Sequence, residues 1–218
     1  MTFQGSDLKD LRSHYNKIKK SIKTRIGEFR RIHKKSDDEV FGELCFCIMT
    51  ANANALKCDE ALKALKNGGH HLRSSACRIR PIIKGKVRFH NKKAHYIVGA
   101  RRVFKKGRGL DVKSKIDKND IISTRDWLVE NIKGMGYKEA SHFLRNIGLG
   151  SGIAILDRHI LKNLKLQRVI AKIPDSVGSR KVYMDIEDKM RIFSKSVGIP
   201  LDELDLLFWS LQTGFIFK

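Results

Sequence analysis

The sequence predicts an all-α protein, and three observations support this fold class. Its 218 residues include only three prolines, so few positions interrupt a helix. Apolar residues recur at the helical period along most of the chain. The one short alternating stretch, residues 86–89, has no second stretch with which to pair.

The same periodicity places the helices in order. The first is predicted over residues 8–35, where the apolar residues that share one face are Leu8, Leu11, Tyr15, Ile18, Ile22, Ile26 and Phe29. Ser36 and Glu39 have the spacing of a capping box, and the apolar run from Val40 to Met49 then predicts a buried central helix. Later helices are predicted at 58–66, 92–106, 124–132, 138–147, 157–165, 179–197 and 201–211. Ser123 or Thr124 is the expected cap of the helix at 124–132.

Basic residues dominate the composition and are unevenly distributed. Lysine and arginine number 45 against 23 acidic residues, which gives a formal net charge of +22. Residues 61–110 contain 15 of these basic residues and no acid, whereas residues 185–205 contain six acids and three bases. A solvated lysine-rich surface is one interpretation. A basic face that follows the phosphates of a nucleic acid is the other, and the acid-free block favours it.

The composition also excludes several classes of protein. No apolar run reaches the roughly 18 residues of a membrane span, and the first residues lack the apolar segment of a signal peptide. Cys45, Cys47, Cys58 and Cys77 show neither a CxxC pair nor the spacing of a zinc site. We therefore expect reduced thiols and a cytoplasmic protein, associated with the nucleoid of a prokaryote.

The most specific motif is a glycine turn between two predicted helices. Gly134, Met135 and Gly136 follow the helix at 124–132 and precede the helix at 138–147. Glycines permit a tight turn, and its amides together with the next helix N-terminus suit one DNA phosphate. Small Ala140 allows the two helices to cross closely. This is the pattern of a helix-hairpin-helix, although an ordinary turn between helices has similar features.

Lys138 stands in the first turn of the second hairpin helix, where the helix dipole disfavours a cation. The position favours the free amine, which is the nucleophile of Schiff-base chemistry. A lysine that binds a phosphate is the plainer interpretation of this residue alone.

Asp157 follows four apolar residues and lies 19 residues after Lys138. Its position predicts an N-cap for the helix that begins at Arg158. A carboxylate beside a cleft also stabilises positive charge that develops on a sugar, and the two roles are compatible.

These residues resemble a known family. The strings Gly134–Asn146 and Leu156–Ile160 are similar to the archaeal-type (type 2) 8-oxoguanine DNA glycosylase/AP lyases of the helix-hairpin-helix Gly/Pro-Asp superfamily. The resemblance extends over most of the chain. Two features of relatives are missing: no cysteine follows Cys77 to complete an iron–sulfur cluster, and no length remains for an extra N-terminal β domain.

The resemblance implies a role for each matching residue. Lys138 would attack C1′ of the damaged nucleotide, and Asp157 would support the charge on the sugar. Trp209 would stack on the extruded base and Lys218, with its terminal carboxylate, would recognise it; Trp209 is otherwise a core residue. Phe89 would wedge into the duplex or lie in the core. Asn52 would contact DNA near the lesion or cap a helix end.

The resemblance also implies two lobes, residues 40–150 and residues 1–39 with 151–218, and an active site in the cleft between them. The expected partner is double-stranded DNA that contains 8-oxoguanine, bound by a monomer without a membrane, an organic cofactor or a catalytic metal. Two alternatives remain open: another lesion, such as an oxidised pyrimidine or a mismatched adenine, and a non-catalytic DNA-binding module.

Overall fold

A computed structural model describes residues 5–217, with side chains from Leu8 onward. Within that range the chain forms eleven α-helices and one two-stranded hairpin, so the all-α prediction is confirmed. The helices are α1 (Gly5–Ile32), α2 (Asp37–Thr50), α3 (Ala55–Asn67), α4 (His70–Arg73), α5 (Ala76–Ile83), α6 (His90–Val103), α7 (Ile121–Asn131), α8 (Tyr137–Asn146), α9 (Arg158–Leu166), α10 (Arg180–Val197) and α11 (Leu201–Thr213). The strands β1 (Lys105–Lys106) and β2 (Gly109–Leu110) pair antiparallel between α6 and α7.

Helix α2 is the central buried helix that the sequence predicts. Every residue from Val40 to Thr50 is buried, and α2 packs against α3, α6 and α8. Ser36 caps it, since its Oγ accepts a hydrogen bond from the Glu39 amide at 3.4 Å. The reciprocal half of the predicted capping box is wrong, because the Glu39 carboxylate accepts from Lys66 Nζ at 2.7 Å instead.

The main differences from the predicted elements have local causes. Helix α7 begins at Ile121 rather than 124, because Asp120 caps it by accepting from the Ser123 amide at 3.0 Å. Ser123 and Thr124 are therefore not its caps. Helices α4 and α5 and the β-hairpin are absent from the sequence prediction, since each is too short to show a clear period.

The apolar side chains form two separate clusters. One is built from residues between Val40 and Ile153, and the other from residues 11–29 together with Ala154 to Phe208. The apolar face of α1 enters the second cluster, as its spacing predicts. The division falls close to the boundaries predicted for two lobes, and the lobes themselves remain a prediction.

A buried ion pair joins an element of one cluster to an element of the other. Arg125 of α7 donates to both carboxylate oxygens of Glu187 of α10, at 2.7 and 3.0 Å, and the two side chains are 0% and 1% exposed. Glu187 also accepts from the Ala154 amide at 2.7 Å, at the point where the chain passes from the first cluster to the second. This pair fixes α10 against the hairpin helices.

None of the helices within residues 5–217 combines the length and the apolar character that a membrane span requires.

Replacing Arg125 by methionine should strongly destabilise the protein, because it leaves the Glu187 carboxylate buried without its main cation. We expect the free energy of unfolding to fall by about 3–5 kcal/mol, measured by urea denaturation. Lys189→Met is the matched control, since it removes an exposed pair with Asp185 of the same helix, and should cost at most about 1 kcal/mol. Equal losses in the two variants would contradict the role given to the buried pair.

Candidate active site

The glycine turn adopts the geometry that its sequence predicts. Helix α7 ends at Asn131, the turn covers residues 132–136, and α8 begins at Tyr137. Gly134 has φ of 88°, and a Cβ added there would lie 2.4 Å from a ring carbon of Tyr96. Only glycine meets both conditions. Ala140 is fully buried between the helices, as expected for a close crossing.

Two of the three amides predicted to face a phosphate already have protein partners. The Met135 amide donates to the Ile132 carbonyl at 3.1 Å, and the Met135 side chain is buried in the first cluster. The Gly136 amide donates to Glu139 Oε2 at 3.2 Å. The predicted phosphate site therefore narrows to Gly134 and the first turn of α8.

Lys138 lies in that first turn, and its side chain is 19% exposed. Its Nζ lies 3.7 Å from Glu139 Oε1. Since the other oxygen of the same carboxylate accepts from the Gly136 amide, Glu139 ties the position of the lysine to the turn. The amine is thus partly enclosed but within reach of a ligand.

Asp157 is the N-cap of α9, and this prediction is confirmed. Its Oδ1 accepts hydrogen bonds from the amides of His159 at 2.8 Å and Ile160 at 2.9 Å. The capping bonds fix the direction of the carboxylate, which is half-buried. Its structural role and a role beside a reacting sugar are compatible.

A third carboxyl group, that of Asp205 on α11, interacts electrostatically with both Lys138 and Asp157. Burial raises its pKa to about 7, and the Asp157 carboxylate adds to this shift. The cations of Arg145 and Lys138 oppose it. Arg145 Nη2 lies 3.6 Å from Asp205 Oδ2, and both side chains are almost fully buried. Lys138 and Asp157 therefore lie within electrostatic reach of one buried carboxyl, although α8 and α9 supply them separately.

The hydroxyl of Tyr183 fixes the segment that leads to Asp157. It donates to the Ala154 carbonyl at 2.7 Å and accepts from the Leu156 amide at 3.2 Å. It also lies 3.3 Å from the hydroxyl of Ser141, which is one turn beyond Lys138 on α8. One buried oxygen thus connects the helix of the lysine to the segment of the aspartate.

An aromatic cluster closes the site on the side of the C-terminus. The half-buried Trp209 ring has its centroid 6.3 Å from His159, 5.1 Å from Phe215 and 6.3 Å from Phe217. Phe217 also contacts Phe46 of α2, at 6.4 Å. Trp209 thus lies beside the first turn of α9 rather than in either core. Lys218 lies outside the described residues, and its role stays a prediction.

Phe89 and Asn52 are both exposed and both adopt a left-handed backbone. Phe89 has φ of 57° and is 52% exposed, so the interpretation as a core residue is wrong. The Arg88 guanidinium lies 4.9 Å from its ring centroid. Asn52 has φ of 53°, and it is neither the C-cap of α2, which is Ala51, nor the N-cap of α3, which is Asn54. Packing in the apolar core therefore does not explain the position of either side chain.

Sequence reasoning missed three residues of this site: Glu139, Tyr183 and Asp205. Glu139 gives a local signal, because an acid at the third position of a helix favours a capping role. Tyr183 and Asp205 give no such signal, since they lie 45 and 67 residues beyond Lys138 and only the tertiary packing brings them near it. Residues 5–217 hold no group of three histidine, cysteine or carboxylate side chains arranged for a metal ion.

The all-α fold and the glycine hairpin are those of the helix-hairpin-helix DNA glycosylases. The family model for 8-oxoguanine DNA glycosylase (Ogg-HhH) matches residues 22–199. The chain therefore belongs to the 8-oxoguanine DNA glycosylase family.

Individual relatives match over nearly their whole length. The 8-oxoguanine DNA glycosylase/AP lyase of Fusobacterium nucleatum is 40% identical over 206 residues, which cover 94% of each chain. The crystal structure of the 8-oxoguanine DNA glycosylase of Thermotoga maritima has a TM-score of 0.87 at 32% identity and covers 97% of this chain and 98% of that one. The Methanocaldococcus jannaschii 8-oxoguanine glycosylase/lyase, solved with a 15mer DNA containing 8-oxoguanine, has a TM-score of 0.85 at 40% identity and covers 97% and 99%.

The raised pKa of Asp205 predicts a pH-dependent stability. The folded state binds this proton at about pH 7, whereas an unfolded aspartate binds it near 3.8, so the stabilisation is complete below pH 3.8 and is lost as the pH rises to 7. As the pH rises from 3.8 to 7, the unfolding free energy of the wild type, relative to that of Asp205→Asn, should fall by about 1 kcal/mol per pH unit. Denaturation at a series of pH values measures this, with the exposed Asp175→Asn as control. A constant difference from pH 4 to 7 would show that Asp205 stays ionised beside Arg145.

Proposed function

We propose that this protein excises 8-oxoguanine from double-stranded DNA and then cleaves the abasic strand by β-elimination. The observation that carries the proposal is the placement of Lys138 on the hairpin, partly exposed, with the capped carboxylate of Asp157 within the same electrostatic neighbourhood. Membership in the family and the likeness to a relative solved with 8-oxoguanine DNA support the substrate.

In the glycosylase step, the unprotonated amine of Lys138 attacks C1′ of the damaged nucleotide. The new N–C1′ bond forms as the bond between C1′ and the base breaks, and the base leaves with that electron pair and takes up a proton. The amine loses a proton in return. Asp157, held in direction by its two amide bonds, stabilises the positive charge that develops on the sugar.

In the lyase step, the sugar ring opens to give an imine between Lys138 and C1′. Loss of a proton from C2′ then expels the 3′ phosphate, which leaves with the electron pair of its C–O bond. Water hydrolyses the imine and releases the lysine, so no cofactor is consumed.

The damaged base must leave the helix to reach Lys138. We assign Trp209, and Lys218 next to Phe217, to the pocket that receives it, because the aromatic cluster lies beside the first turn of α9. We assign Phe89 and Asn52 to the duplex side because both are exposed. Phe89 lies within the basic block, and Asn52 follows Ala51, whose carbonyl binds Lys93 of that block. Gly134, Met135 and Gly136 hold the hairpin against one backbone phosphate, with Gly134 and the first turn of α8 as the donors.

The remaining assignments follow from this activity. An enzyme that acts on the chromosome works where the chromosome lies, in the cytoplasm of a prokaryote. One copy carries all of the residues assigned above, so a monomer suffices.

Borohydride trapping tests the central step. A duplex with one 8-oxoguanine should give a covalent band with the wild type and none with Lys138→Gln, since the amide forms no imine. Lys133→Gln is the matched control, because it removes an exposed lysine of the same hairpin, and should leave the band in place. A trapped band with Lys138→Gln would refute the mechanism. A band only with other damaged duplexes would assign another lesion, and tight binding with no band would assign a non-catalytic module.

The Tyr183 hydroxyl should affect catalysis beyond its effect on stability. Tyr183→Phe leaves the Leu156 amide and the Ala154 carbonyl without their partner, which costs about 1–3 kcal/mol of stability and loosens the segment before Asp157. We expect single-turnover excision to slow by about tenfold or more. Tyr15→Phe is the control, since it loses another buried hydroxyl bond, to Glu203, away from this segment. Equal rates in the two variants would limit Tyr183 to a structural role.

A further inference from the structure

Lys93 is a buried lysine that the mechanism above does not use. It lies in the first turn of α6, and only 3% of it is exposed. Its Nζ donates to the carbonyl oxygens of Met49 at 2.6 Å and Ala51 at 2.5 Å. Burying an ammonium group is costly unless acceptors surround it, so this placement needs an explanation.

The two carbonyls belong to the C-terminal end of α2. The last carbonyls of a helix lack partners within the helix, and a cation stabilises them. Helix α2 has no basic residue in its own last turn. Lys93 supplies the cation from another helix, while the thiol of Cys58 donates to the same Met49 carbonyl at 3.2 Å.

Lys93 also lies between the two chain segments that carry the exposed left-handed residues. Ala51, whose carbonyl it binds, directly precedes Asn52. At the other side, Phe89 is the N-cap of the helix that carries Lys93, and its carbonyl accepts the first backbone hydrogen bond of α6 from the Lys93 amide at 3.1 Å. Among residues 5–217 only three residues other than glycine have a positive φ, and Asn52 and Phe89 are two of them.

A left-handed backbone is tolerated by asparagine but is unfavourable for a bulky side chain such as that of Phe89, where it persists only if surrounding contacts hold it. The Lys93 side chain provides such a contact at the peptide that precedes Asn52, and the backbone of α6 provides one at Phe89. The bonds from the Lys93 side chain thus join the end of α2, next to Asn52, to the first turn of α6, next to Phe89. This junction also lies within electrostatic reach of Lys138. Burial lowers the pKa of Lys93 to about 8, and the Lys138 cation is among the charges that lower it further.

We propose that Lys93 is a positioning residue that holds Asn52 and Phe89 as one rigid unit for insertion into the duplex. This inference rests on the proposed function, which assigns these two side chains to the duplex side of the site. Two side chains held rigidly resist the restacking of the bases, whereas side chains that can move apart would yield to it. Lys93 does not touch the reacting atoms.

The test compares two substrates under single-turnover conditions. One is a duplex with 8-oxoguanine paired to cytosine, and the other presents the same base already unpaired in a one-nucleotide bulge. Lys93→Met, which keeps the length of the side chain but removes its donors, should slow excision from the paired duplex by about ten- to a hundredfold, and from the bulge by less than about threefold. Lys93→Arg restores donors and should recover part of the loss.

The neighbouring Lys92 offers a matched control. It is exposed on the same helix, so Lys92→Met removes the same charge without touching the carbonyls. Its effect on DNA affinity should be equal for the two substrates, so the ratio of their rates should stay unchanged. Cleavage of a preformed abasic site, together with thermal unfolding, verifies that Lys93→Met is folded and retains the chemistry of Lys138.

A double variant tests the connection to Phe89. If Lys93 acts through the inserted pair, Phe89→Ala combined with Lys93→Met should be no slower on the paired duplex than the slower single variant. Fully additive losses, or equal slowing on both substrates, would overturn the inference while the proposed function stands. A wild type that gives neither excision nor a trapped adduct would instead refute the proposed function.

Discussion

The buried polar network around Glu187 is the constraint on which the site depends. Glu187 binds Arg125 of α7 and the Ala154 amide, and the neighbouring Tyr183 hydroxyl binds the chain at Ala154 and Leu156. Both residues stand on α10, which carries no catalytic group in the proposed mechanism. Because these groups are enclosed by apolar side chains, each lost bond leaves a buried polar atom unsatisfied. The network therefore specifies one arrangement of the hairpin and the α9 segment rather than a range of them.

This arrangement solves a problem of chain topology. Lys138 and Asp157 lie on separate helices, and the segment between them crosses from one apolar cluster to the other at Ile153 and Ala154. Apolar packing alone is non-directional and sets distances between helices only loosely. Hydrogen bonds with defined geometry to the crossing segment fix the relation of the amine and the carboxylate more closely. A polar junction in an otherwise apolar interior is thus consistent with a catalytic requirement.

Unfavourable local features of the structure are grouped on the side assigned to DNA. Phe89 and Asn52 have left-handed backbones, Lys93 is a buried cation, and Phe89 exposes half of an aromatic ring. Phe89 and Lys93 belong to the acid-free block with its 15 basic residues, whereas residues 185–205 contain six acids and three bases. Such features are disfavoured in a protein that only has to fold, and they coincide here with the surface that would meet a polyanion.

The sequence by itself determined the local features of this protein. The helical period identified α1, α2 and α8, the glycines marked the hairpin turn, and Asp157 was recognisable as a cap, because each depends on residues within one or two turns of each other. The sequence did not reveal the short helices α4 and α5, the start of α7 or the partner of Glu39. Only the tertiary structure decided that Tyr183 and Asp205 approach the hairpin and that Lys93 binds the end of α2. Those relations join residues tens of positions apart, and they arise from side-chain packing that no local pattern encodes.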